Sequence, residues 1–357
     1  MAYNGFCNYS TKWQNLSTDL IADYHPLQNV WIANVSLTAR DRYIRIGLYS
    51  VLSLITILGN MLVFLTFYKH ASLRTTSNLF IINLAITDLL TGGIKDTLFI
   101  YGLTSYNWPK SAILCSFVGF INCVCYVATV YTLTVIAVFR YLAIVCNLGR
   151  KIKRKHSILT IACVWIYSSA CCLMPIVGWS RYIYEPTECT CVRSLDKKYY
   201  SYTIYILVAD FLLPLSVVSF CYGNIFAKMK RNHHHIKRDL SDGQKLDVAE
   251  KLSRREEIVA RRMFIILAEH VVCFLPYTII VTMLAANGVD IEPVWYFIVG
   301  YLLNLNSALN PVTYIVVNPR LKKGYISVIC CKDNFTRVKP TNAGGNQGFL
   351  ELRNVAR

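Results

Sequence analysis

Mostly apolar stretches recur seven times along the chain, at 46–68, 79–103, 113–138, 157–179, 200–226, 259–284 and 293–317. Each has the ~20 residues a helix needs to cross the hydrocarbon core of a bilayer. The pattern predicts an all-α membrane protein, a seven-helix transmembrane bundle. Polar segments separate the spans, with no internal repeat and no second domain. Residues 227–257 form the one long loop, with His233, His234 and His235 followed by a charged K-L-S-R-R-E-E pattern. Residues 318–331 alternate basic and apolar positions at helical spacing, which suits a short amphipathic eighth helix lying on a membrane face. This divides the chain into a tail (1–43), a membrane domain (44–331) and a Gly/Asn-rich flexible tail (332–357).

Composition agrees with the pattern. Of 357 residues, 55% are hydrophobic and 16% charged, against about 25% charged in soluble domains. Residues 1–43 lack a basic start followed by an apolar stretch, so the first span is expected to act as its own insertion signal.

Charge orients the bundle. The net charge is +17, with 37 Lys and Arg. Nine of these lie in the first tail and the second, fourth and sixth loops. Lys95 lies inside a span, and 27 lie at the other loops, their helix ends and the final tail. Basic residues beside membrane segments stay cytoplasmic, so the N-terminus is expected outside and the C-terminus in the cytoplasm of a plasma-membrane protein. R-K-I-K-R-K (150–155) then reads as a surface for anionic lipid or a protein partner, and nucleic acid is not expected. Sequons at Asn8, Asn15 and Asn34 fall in the outer tail and are glycosylation candidates. Cys115 and Cys191 are candidates for a disulfide in an oxidising exterior. Cys330 and Cys331, just past the last span, are palmitoylation candidates.

Polar residues inside spans are functional candidates by default. Here they include Gly59-Asn60, L-A-I-T-D (84–88), F-R-Y (139–141), Trp165, Pro214 with Tyr222, F-L-P-Y (274–277) and N-P-V-T-Y (310–314). This set in this order resembles the rhodopsin-like (class A) G protein-coupled receptors. G-W-S-R-Y-I-Y-E-P-T-E-C-T-C (178–191) and A-D-F-L-L-P-L (209–215) resemble opsins in particular.

The opsin resemblance implies a retinal lysine six residues before Asn310, where this chain has Asn304. It implies a counterion three residues after Cys115, where Val118 stands. With both absent, the chain resembles the placozoan opsin-like receptors that lack the retinal lysine. The remaining pocket candidates are Lys95, Glu185, Asp210, Phe274 at the usual tryptophan position, and Tyr277. Lys95 is expected to snorkel, to pair with an acid such as Glu185, or to serve as a relocated retinal anchor. Asp210 is expected to meet a polar ligand or bond to span three or six. His270 and Glu269 are unusual at mid-span, and an imidazole can titrate near neutral pH.

The resemblance further implies a switch built from Arg140, Tyr141, Tyr222, Asn310, Pro311 and Tyr314. Phe139 replaces the usual acid, leaving Glu256 as the expected partner of Arg140. Asp88, Thr129, Asn306, Ser307 and Asn310 match the family's sodium pocket, position by position. The implied partners are a heterotrimeric G protein, arrestin, membrane lipids and a small ligand, with retinal (covalent through Lys95 or non-covalent) and Na+ as candidate cofactors. A melatonin-type receptor is the runner-up. No nucleophilic or metal-catalytic constellation argues for an enzyme, and a channel or transporter would want a continuous polar path or broken repeat helices.

Overall fold

The computed structural model describes residues 38–104, 111–185, 190–238, 258, 264–283 and 292–330. The sequons, Glu256 and Cys331 lie outside the described residues.

Seven long helices form one bundle. Helix α1 (Ala39–Lys69) starts where Thr38 Oγ1 accepts from the Asp41 amide and donates to its carboxylate. Helix α2 runs Asn78–Leu90, widens into a π-helical segment at Thr91–Asp96 and continues as Thr97–Thr104. Helix α3 (Ala112–Ile144) is capped by Ser111, whose hydroxyl accepts from the Leu114 amide. Helix α4 spans Arg154–Leu173. Helix α5 covers Tyr200–Leu207, a second π-helical segment at Val208–Leu212, and Leu213–Arg238. Helix α6 occupies Phe264–Met283 and α7 Pro293–Val317. Helix α8 (Pro319–Ile329) begins at an Asn318 cap, whose Oδ1 accepts from the Arg320 and Leu321 amides.

Apolar run lengths predicted these helices, and three ends differ. Helix α4 stops at Leu173, not 179, because Pro175 cannot continue the ladder and the chain turns there. Helix α3 runs on to Ile144, which keeps Arg140 and Tyr141 helical. Helix α5 continues to Arg238, so part of the expected loop, including the three histidines, is helix. Counting apolar residues finds the membrane-buried length, whereas strong helix formers carry the ladder past it.

The exterior is apolar. Leu54, Leu58, Ile166, Val272 and Val316 are each more than half exposed, and five described helices are long and apolar enough to cross a membrane. That arrangement suits lipid as the surrounding solvent. Close packing needs small residues at two crossings. A Cβ on Gly59 would lie 2.9 Å from Pro311 Cγ, and one on Gly92 would lie 2.9 Å from Thr56 Cγ2. Helix α8 buries Leu321, Gly324 and Tyr325, the glycine directly over Thr66 and Leu73, while Ile326 and Ile329 face out. Burial pushes the Tyr325 phenol above its ordinary pKa.

Between α4 and α5 the chain makes a two-stranded antiparallel hairpin, β1 (Tyr182–Glu185) and β2 (Thr190–Arg193), with Tyr184 opposite Cys191. The Cys115–Cys191 disulfide ties it to the head of α3.

Candidate functional site

The hairpin roofs a cavity of about 170 Å³ bounded by α2, α3, α5, α6 and α7. Lys95, Phe274, Tyr277 and Asn304 line it. Lys95 comes from the π-helical segment of α2. Its Nζ donates to Asn304 Oδ1 across the cavity at 2.7 Å. The Asn304 amide nitrogen donates to Gly300 O at 2.7 Å and to Tyr49 Oη at 3.2 Å. Tyr49 in turn stacks on Phe99 with centroids 3.9 Å apart. The α7 amide is thus fully engaged, and it directs an amine from α2.

Three expected pocket residues lie elsewhere. Val118 is fully buried against the disulfide and is not among the lining residues, although its neighbour Gly119 is. Glu185 is paired in register with Thr190 and is not itself among the lining residues. Asp210 is fully buried, but the wide turn of Val208–Leu212 directs it to α4, where Tyr167 Oη donates to its Oδ1 at 3.1 Å. Its partner is therefore on span four, not three or six. Tyr131 Oη lies 3.1 Å from Tyr167 Oη and donates to Ala209 O, closing that cluster.

The cavity also takes residues that the sequence did not single out. Asn122 and Tyr126 come from α3, and Arg193 from β2. Arg193 is two residues past Cys191, the same strand face, so the alternation could have flagged it. Tyr182 donates to Cys172 O at 2.7 Å, and burial holds its phenol well above the ordinary pKa, so it stays a donor.

The floor is aromatic. Phe274 stacks on Tyr126 (centroids 5.0 Å, interplanar 29°) and on His270 (3.8 Å, 26°). Below it lies a polar layer. Asn310 Nδ2 donates to Asp88 Oδ2 at 2.9 Å, Thr129 to Thr87 at 3.0 Å, and Asn60 Nδ2 to Thr56 O and Ser307 O. Asn306 faces His270. Thr129, Asn306 and Ser307 border this layer and the cavity together. One carboxylate with amide and hydroxyl oxygens is a donor set that suits a hard cation. Thr313 Oγ1 donates to Glu269 Oε2 at 2.6 Å, linking α7 to α6.

At the inner end, Phe139 packs edge-on against Phe80 (5.0 Å, 77°). Tyr314 is fully buried in the same cluster, its hydroxyl without a hydrogen-bond partner among the described residues. Tyr222 is buried against Phe264. Arg140 lies within electrostatic reach of Tyr222 and makes no ion pair among the described residues. Lys228 of α5 donates to Ile144 O, Val145 O and Asn147 Oδ1 at 2.7, 3.0 and 3.1 Å. It caps the carbonyl end of α3.

A seven-helix bundle with a roofed outer cavity, a mid-membrane polar layer and an amphipathic eighth helix defines a multi-pass receptor of the seven-transmembrane class. The family described as "7 transmembrane receptor (rhodopsin family)" matches residues 59–314, and the chain belongs to it. It is therefore a rhodopsin-family G protein-coupled signalling receptor. Rhodopsin of Gallus gallus is 29% identical over 321 residues, covering 84% of this chain and 85% of that one. Rhodopsin of Alligator mississippiensis is 29% identical over 307 residues, covering 81% and 82%. The crystal structure of squid rhodopsin superposes with a TM-score of 0.75 at 24% identity, over 86% of this chain and 89% of that one, a likeness of fold.

Proposed function

We propose that this receptor takes a small ligand in the roofed cavity and passes the signal to a heterotrimeric G protein without the opsin attachment on α7. The observation that carries the reading is Phe274. This ring lines the cavity and stacks on Tyr126 of α3 and on His270, which faces Asn306 of the polar layer. A ligand that displaces Phe274 therefore moves α6 against α7. Receptors of this kind work by shifting the population between two helix arrangements. The ligand's differential affinity for the two sets the size of the shift.

On this reading the N-terminus is extracellular, with sugars on Asn8, Asn15 and Asn34, and residues 332–357 form a cytoplasmic tail. The coupling surface consists of Arg140, Tyr141, Tyr222, Glu256 and the inner ends of α5 and α6, which arrestin would share. Palmitate on Cys330 and Cys331 would hold α8 to the inner leaflet; Cys330 is exposed at the end of that helix. The Asp88 layer would hold Na+ in the resting arrangement. The test is GTPγS exchange on a panel of purified G proteins in nanodiscs. Exchange above the receptor-free rate with at least one G protein is expected. No exchange, together with ionic current in cells expressing the chain, would favour a channel.

The Lys95–Asn304 bond favours a second reading. Retinal, when bound, supplies absorption of visible light. The cavity's aromatic wall suits its polyene, and Lys95 brings an amine to the position opposite the vacant α7 anchor. Purified protein with 11-cis-retinal should then show a visible band that Lys95→Ala removes; no band in the parent ends the light reading.

A further inference from the structure

Asn122 of α3 lines the cavity. Its Oδ1 and Nδ2 are both covered and both without a hydrogen-bond partner among the described residues. Asparagines that hold the bundle together are not left in this state. Asn83 donates to Thr132 Oγ1 and accepts from Trp165 Nε1. Asn304 is likewise bonded through both amide atoms.

Two hydroxyls on neighbouring elements share the condition of Asn122. Thr190 of β2 and Thr203 of α5 are only 3% and 6% exposed, and neither Oγ1 has a hydrogen bond. Both line the cavity. A buried helical threonine ordinarily returns its hydroxyl to the carbonyl four residues back. Thr132, Thr278 and Thr282 do so; Thr203 does not. Buried polar atoms are costly when unpaired, so this end of the cavity is built for a ligand with hydrogen-bonding atoms.

The inventory of Asn122 sets the chemistry of that ligand. Its side chain presents a donor and an acceptor next to one another. A carboxylate or an ester only accepts and leaves Oδ1 unmet. An ammonium only donates and leaves Nδ2 unmet. A secondary amide in its trans form carries its N–H and C=O on opposite edges. A primary carboxamide or a lactam has both on one edge and meets Asn122 with two parallel hydrogen bonds. The requirement is independent of the cavity's net charge. Asn122 is also one turn from Tyr126, about 6 Å along the helix axis, and Tyr126 stacks on Phe274. A group held at Asn122 therefore directs the rest of its molecule to that aromatic pair.

We infer that the cavity takes a neutral ligand with a primary carboxamide or lactam edge paired to Asn122 and an apolar body lying on Tyr126 and Phe274. The two threonine hydroxyls, each able to donate or accept, serve further polar atoms of the same molecule. This rests on the proposed role of the cavity as the ligand site and narrows its ligand to one chemical class.

Probes that share a body and differ in head group test the pairing. Thermal-shift and tryptophan-quenching titrations on the purified receptor would compare naphthylacetamide with naphthylacetate, its methyl ester, its N-methyl amide and naphthylethylamine. A second set would carry the same head groups on a cyclohexyl body. The primary amide is expected to bind tightest in at least one set, because a site built to hydrogen-bond a group discriminates against analogues that lack it. Asn122→Leu should weaken that amide about tenfold, the scale of a buried group left unpaired, and leave the ester nearly unchanged. Asn122→Asp, which only accepts, should turn the preference towards the amine. The ranking in the parent protein stands without either variant. Another head group tightest in both sets, equal binding throughout, no binding by either primary amide, or an amide preference that survives Asn122→Leu overturns the inference. GTPγS exchange measured on the same preparation separates the two claims. Exchange without amide binding sinks the ligand class alone, and amide binding without exchange sinks the signalling reading alone.

Discussion

Lys95 and Asn304 are 209 positions apart in sequence and 2.7 Å apart in space. Asn304 marks the place where opsins carry their lysine, and that much could be read by counting back from Asn310. That Lys95 would reach the same amide could not. It depends on the π-helical turn of α2, which shifts the side chains beyond Thr91 around the helix. The same limit applied to Asp210, whose turn is also π-helical and faces it towards Tyr167. Residues on regular helix, such as Phe274 and Asn310, could be placed from spacing alone. The Lys95 bond can be weighed by a double-mutant cycle in nanodiscs. Asn304→Ala should cost about 1–3 kcal/mol of stability, the range for a hydrogen bond to a charge. In a Lys95→Met background the same change should cost clearly less. Equal costs in the two backgrounds would mean that the bond contributes nothing.

At the scale of elements, the hairpin and the inner end of α5 are each held by a close contact. A Cβ on Gly119 would run into the Tyr182 ring, so only glycine lets β1 settle on α3. Gly119→Val should push Tyr182 outward, open the cavity roof and lower ligand affinity, while the Cys115–Cys191 bond still forms; unchanged affinity would show that the hairpin does not act as a roof. The other contact is Lys228. Its three hydrogen bonds bind α5 to the carbonyl end of α3, where a cation is favoured by the helix dipole. On the proposed mechanism, a shift between two helix arrangements, a clamp between α5 and α3 favours the resting one. Lys228→Ala should raise ligand-independent GTPγS exchange several-fold, as loss of about 1 kcal/mol from the resting arrangement implies. Lys228→Arg should keep exchange near the parent level. The run A-K-M-K-R gave no hint of this role, since a lysine near an inner helix end is ordinarily a solvated charge.

Over the whole molecule, contacts run from the cavity through Phe274 and His270 to the polar layer, and on to a cluster that holds Tyr314, Phe80 and Phe139. The seven helices and their order were legible because each span must be apolar throughout, and the class was legible because its polar residues sit at mid-span. What the sequence left open was how the inner face is restrained once Phe139 has replaced an acid. The structure answers with packing: Phe139 joins the apolar cluster through Phe80, and Lys228 supplies the polar clamp. Arg140 has no ion pair among the described residues to hold it in the resting arrangement. Supplying one should therefore quiet the receptor. Phe139→Asp places a carboxylate beside Arg140 and also removes the ring, so Phe139→Ala is the proper comparison. Both should lose stability through the emptied aromatic site, by up to a few kcal/mol. Only the aspartate should lower basal GTPγS exchange, about fivefold for a pair that contributes about 1 kcal/mol. If exchange by Phe139→Asp equals or exceeds that of Phe139→Ala, the missing acid is not what sets the basal state.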